Sequence, residues 1–66
     1  MPEYEEWQLR VIQEQTDLDE KIEKLKEFLK SPIFGSLPEF GKGMLMAQFG
    51  HMNSYSAVLG LRIGAF

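Results

Sequence analysis

The chain has no cysteine among its 66 residues. Disulfides and thiolate metal sites are therefore excluded, and the single His51 cannot build a zinc site without an unusual set of carboxylates. Bases are scarce too: seven Lys and Arg stand against ten Asp and Glu, for a net charge of −3. No basic stripe exists for duplex nucleic acid to follow. The opening "MPEYEEW" lacks the positively charged start of a secretory signal, which points to the cytoplasm. An uninterrupted apolar run is also missing. The closing "MLMAQFGHMNSYSAVLGLRIGAF" is long enough for a membrane span, but Gln48, His51, Asn53 and Arg62 break it, so no spanning helix is expected. A helix lying on a membrane would need a basic polar face, which this segment lacks.

Catalytic furniture is missing as well. There is no Gly-rich phosphate loop, no paired catalytic carboxylates, and no nucleophile spaced to work with His51. His51 reads as a hydrogen-bonding helper, the chain as no enzyme, and no cofactor or metal is implied. A domain this small buries only about 60% of its unfolded surface. With disulfides and metals excluded, oligomerisation is the remaining source of stability.

What is present is helical pattern. Beyond Pro2, no Gly or Pro occurs up to Lys30, and Trp7, Val11, Leu18, Ile22, Leu25 and Leu29 recur at helical steps. The pairs Glu6/Arg10, Asp17/Lys21 and Glu20/Lys24 place acid four residues before base, worth about 0.2–0.5 kcal/mol each on a solvated helix face. Pro32 ends this first helix, predicted over about residues 3–30. A turn over 31–36 follows, with Ile33, Phe34 and Leu37 plugging the end of a hairpin. In "SLPE", Ser36 and Glu39 read as a capping box with Pro38 in the first helical turn. The second helix is predicted over about 37–64. Matched lengths and a short connection give an all-α, antiparallel two-helix hairpin, a single domain that assembles into a homo-oligomeric helical bundle.

Seven-residue spacing divides the second helix into three stripes. Leu45, Phe49, Met52, Ser56, Leu59, Ile63 and Phe66 form a bulky seam with one polar interruption. Ser56 falls level with Glu14 and Gln15 of the first helix, so a polar layer at mid-bundle is expected to fix register. Nearly opposite lie Gly43, Ala47, Gly50, Ser54, Ala57, Leu61 and Gly64. Glycine inside a helix costs about 0.5–1 kcal/mol relative to alanine, so the stripe marks either close approach of a backbone or bends in the helix. Close packing between subunits is expected at Gly50, Ala57 and Gly64, with Trp7 as an aromatic plug of the core or interface.

The third stripe is polar: Gln48, His51, Tyr55 and Arg62. Taken singly, each has an ordinary surface role, Arg62 as a partner of Glu3 or Glu6 among them. Together they offer an aromatic face, guanidinium donors and amide hydrogen bonds, which suit a small planar anion such as a nucleotide.

"RVIQEQTDLDEKIEKLKEFLKSPIFGSLP" followed by "AQFGHMNSYSAVLGLRI" resembles a family of very small phage-encoded helical proteins. The resemblance runs through Arg10 and Val11, Leu18 to Lys21, Phe28, Phe34 with Leu37, Gln48, Met52, Tyr55 with Ser56, and Arg62 with Ile63. It departs in "FGKGMLMAQFG" and "GLRIGAF". Small oligomeric helical phage proteins include the anti-CBASS sponges, which bind cyclic nucleotide immune signals without cleaving them. By that analogy Tyr55 would stack on a base, Arg62 with Arg10 or Lys21 would meet phosphates, and Gln48 would read a base edge. The expected function is thus sequestration of a cyclic di- or trinucleotide by a dimer or tetramer. The alternative is a helical adaptor that docks a helix of a host or phage protein in the small-residue groove.

Overall fold

The computed structural model describes residues 3–66, and their regular structure is all helical, with no strand among them. Helix α1 spans Glu6–Leu29, α2 is the single turn Pro32–Gly35, and α3 spans Glu39–Gly64. α1 and α3 lie side by side in a rod of 49 × 15 × 14 Å, the shape of a hairpin.

The seam between them follows the seven-residue spacing. Leu59 is wholly buried, and it joins Val11 and Ile22 of α1 as the core. Leu45, Phe49, Met52, Ser56 and Ile63 are half-buried beside it, as are Leu18, Leu25 and Leu29 of α1. The seam's apolar atoms leave water while the charges of α1 stay in it, which is the main source of the hairpin's stability.

The polar layer forms where the apolar pattern lapses. Gln15 Nε2 donates to the Ser56 carbonyl at 3.1 Å, and Ser56 Oγ donates to Asp19 Oδ1 at 2.6 Å. A polar pair between the helices penalises a slipped register, because slippage would leave half-buried groups unpaired. Gly60 belongs to this layer: a Cβ there would stand 3.1 Å from Gln15 Nε2. By contrast a Cβ on Gly41 would meet nothing within 4 Å. Gly41→Ala is therefore expected to raise stability by about 0.5–1 kcal/mol, from propensity alone. Gly60→Ala should gain less or lose, because Gln15 must yield. Chemical denaturation of both variants checks this, and equal gains would remove Gly60 from the register device.

The hairpin ends differ from the sequence expectation. Ser36 does not cap α3. It closes α2, its hydroxyl donating to the Ile33 carbonyl at 2.8 Å, and the residue before α3 is Pro38 in extended backbone. The SLPE capping box is thus corrected: Ser36 is already engaged by the preceding helical turn, and Pro38 lies outside the helix. The reciprocal cap occurs at the other end, where the Glu5 N–H donates to Gln8 Oε1 at 2.7 Å. Ser31 organises the turn, its hydroxyl donating to the Phe28 carbonyl at 2.7 Å and accepting from the Phe34 N–H at 3.3 Å. Phe34 packs edge-on against Phe28, while Ile33 points outward at 64% exposure and does not plug the end. At the open end Trp7 and Tyr4 both meet Phe66 edge-on, with ring centroids 5.2 and 6.2 Å apart.

α3 is one helix through all its interior glycines, and no glycine has positive φ. The glycines are therefore not bends. No described helix is long and apolar enough to cross a membrane.

Candidate functional site

Along α1, Arg10, Glu14, Asp17 and Lys21 follow one another at alternating steps of four and three, which keeps them on one face. Across from them α3 presents Tyr55. Between the two helices lies a shallow cleft of ≈ 510 Å³, bordered by Arg10, Glu14, Asp17, Lys21 and Tyr55 over a floor that includes Leu18. A second concavity of ≈ 630 Å³ runs along α3 itself, bordered by Met44, Ala47, Gln48, His51, Met52 and Tyr55. Tyr55 is the shared wall, and its side chain is 44% exposed.

The structure thus gathers five of the six ligand residues expected from sequence around one tyrosine. Arg10 and Lys21 lie on its α1 side, Gln48 and His51 on its α3 side. Arg62 borders neither concavity. It shares the stripe of Tyr55 but stands two turns further along α3, level with the first half of α1.

The charges around Tyr55 are more balanced than the third stripe alone indicated. Glu14 and Asp17 line the same cleft as Arg10 and Lys21, so one protomer's cleft carries two acids and two bases. Reading α3 in isolation missed these acids; the four-and-three spacing on α1 carried them. The expected helical ion pairs also rearrange. Arg10 Nη1 lies 3.5 Å from Glu6 Oε1, but Asp17 accepts instead from Gln13 Nε2 at 2.9 Å, which leaves Lys21 outside any ion pair among the described residues. Glu20 and Lys24 do not pair either among those residues, nor does Arg62 pair with Glu3 or Glu6. An exposed pair such as Arg10–Glu6 contributes at most about 1 kcal/mol, so Arg10 can exchange Glu6 for another anion at little cost.

Gln48 Nε2 points to Met52 Sδ at 3.8 Å, a weak bond to a poor acceptor that a better one would replace. The arrangement is an exposed aromatic ring with cationic groups on its α1 side and an amide, an imidazole and methionines on its α3 side. It can stack a heterocycle on Tyr55 and hold an anionic group with Arg10 or Lys21. No group of three or more His, Cys, Asp or Glu converges to hold a metal among the described residues.

Comparison with known proteins gives one family. The family model described as Sequestin matches residues 5–65, which takes in α1, the turn and α3. No curated protein and no solved structure matches the chain.

Proposed function

The chain belongs to the Sequestin family, and from that premise we propose that it sequesters a cyclic oligonucleotide signal of bacterial antiviral defence, holding it without cleaving it. The family's name points to sequestration of a ligand or partner; the groups around Tyr55 support the ligand class. The observation that carries the reading is Tyr55, half-exposed at the junction of two concavities, with Arg10 and Lys21 on one side and Gln48 and His51 on the other. A cyclic di- or trinucleotide offers what those groups bind: flat bases for the ring, base edges for the amide and imidazole, and phosphodiesters for the cations. In this reading the protein is a phage product acting in the host cytoplasm, an anti-CBASS-type sponge that works by stoichiometry and needs no cofactor.

Calorimetric titration with a panel of cyclic di- and trinucleotides tests the proposal. Saturable binding of at least one, followed by its intact release when the protein is heat-denatured, is the expected result. Absence of binding at high micromolar ligand would sink the ligand assignment, and recovery of linear fragments would sink the holding role.

A second reading, a helical adaptor for a host or phage protein, draws on a different observation. Phe40, Met46, Val58 and Leu61 of α3 are 77, 61, 52 and 76% exposed and could receive an amphipathic helix. A stable homo-oligomer that covers these residues would remove its surface.

A further inference from the structure

The face of α3 turned away from α1 has no partner in the protomer. Phe40 and Leu61 are each more than three-quarters exposed, and Cβ atoms built on Gly43, Gly50 and Gly64 would meet nothing within 4 Å. Nothing inside the protomer therefore asks for glycine at these three positions. Between Lys42 and Arg62 the helix carries no Asp, Glu, Lys or Arg, so this face could be covered without burying a charge. The accessible surface tells the same story in area. The protomer exposes 5092 Å², whereas a folded monomer of its mass exposes about 4,300 Å². The excess of about 800 Å² is the area that each partner contributes to a stable interface of standard size.

We infer that a second copy of this chain covers the face, with its α3 antiparallel to the first about a two-fold axis at Ser54. The sequence around Ser54 selects this arrangement. Residues equally far from Ser54 on its two sides come level across the axis. Gly50 then meets the partner's Val58, Ala47 meets the partner's Leu61, and Gly43 meets the partner's Ala65. Val58 and Leu61 each land on a small residue, and symmetry makes each contact twice. A parallel pairing would set Leu61 against the partner's Leu61 and Gly50 against the partner's Gly50, crowding one level and leaving a void at the other. The antiparallel arrangement also opposes the two helix dipoles.

One consequence bears on the ligand site, and it rests on the function proposed above. The concavity bordered by Met44, Gln48 and His51 has walls from α3 alone, so it is open on the side away from α1. In the antiparallel register Arg62 lies as far beyond Ser54 as Met46 lies before it. The partner's Arg62 therefore comes level with Met46, beside Met44 and on the edge that also carries His51. The guanidinium that borders neither concavity of its own protomer would then complete the concavity of the other copy, supplying the positive charge that the balanced α1 cleft lacks.

The absence of cysteine makes the register directly testable, since Ser54→Cys introduces a sulfur that can bridge only to its symmetry mate. Under mild oxidation without ligand, most Ser54→Cys chains are expected to run as a covalent dimer on a non-reducing gel, and Glu20→Cys on the outer face of α1 is not. Sedimentation equilibrium of the unaltered protein should give the dimer mass or an even multiple of it. A monomer at about 100 μM, or an oligomer in which Ser54→Cys stays reduced, overturns the proposal; an interface of this size normally holds well below that concentration. Arg62 is then placed by mixing. Tyr55→Ala and Arg62→Ala chains, each deficient in binding alone, should on unfolding and refolding together regain about a quarter of the sites, because half the dimers are mixed and each of these holds one intact pair. No regain with chains that do cross-link rejects Arg62 acting across the interface. Absence of cyclic-nucleotide binding by the unaltered protein instead rejects the proposed ligand and leaves the cross-linked dimer standing.

Discussion

Leu59→Ala is expected to lower stability by about 2–5 kcal/mol, the range for truncating a buried leucine whose site can only partly collapse. Among the described residues Leu59 is the one wholly buried large side chain, and the core it completes contains only Val11 and Ile22 besides. A single core in a chain this small rarely supplies more than about 3–5 kcal/mol, so the loss is comparable with the whole of the protomer's stability. Each kcal/mol corresponds to about 4–8 °C of melting temperature for a domain of this size. The melting temperature followed by circular dichroism should therefore fall by at least about 8 °C, and much of the cooperative transition should be gone. Leu9→Ala is the control. Leu9 is 52% exposed on α1, outside the seam, and its truncation should shift stability by no more than about 0.5 kcal/mol. If the two variants melted alike, the hairpin seam would not be what stabilises the protein.

Tyr55→Ala is expected to weaken cyclic-nucleotide binding tenfold or more. Stacking a base on an aromatic side chain is worth about 1–3 kcal/mol, and among the described residues Tyr55 is the only Phe, Tyr or Trp that borders either concavity. Its exposure of 44% means that truncation removes little from the core, so melting should change by about 1 kcal/mol or less. Tyr55→Phe keeps the ring and discards the hydroxyl. It should retain most of the affinity if stacking is the contribution, and lose it as the alanine variant does if the hydroxyl is instead the contact. Titration of the three proteins with the tightest ligand of the panel distinguishes these outcomes, and an alanine variant that binds like the parent removes Tyr55 from the site.

The seam of α3 was legible because burial leaves a periodic mark. Leu45, Met52, Leu59 and Ile63 had to recur at steps of seven and four to stay against α1, and they do. The polar layer at Ser56 was legible for the converse reason: a polar residue in an apolar seam demands partners, and Gln15, level with it, donates to its carbonyl. Asp19 as the second partner was not, since the Ser56 hydroxyl reaches one turn beyond its own level. The helix ends were read least well. "SLPE" satisfies the spacing of a capping box, yet the spacing does not say whether the serine is already spent on the preceding turn, as Ser36 is.

The ligand face was half legible. Gln48, His51 and Tyr55 lie on one helix, so their grouping follows from period alone. That Arg10 and Lys21 reach Tyr55, that Glu14 and Asp17 accompany them, and that Arg62 does not are properties of how two helices are set side by side. Helical spacing within one segment carries no information on that; only the register between segments does, and in this hairpin Gln15, Asp19 and Ser56 set it.

The aromatic cluster at the open end gives the molecule a built-in optical reporter. Trp7 is the sole tryptophan, and it rests edge-on against Phe66, at nearly the full length of the chain from it. Contacts beside the turn, such as Phe28 with Phe34, close short loops and form first, whereas the Trp7 contact requires the entire hairpin to have zipped. Indole emission thus reads the last step of closure without any label, and its unfolding curve should precede the loss of helicity wherever the two ends fray before the seam opens.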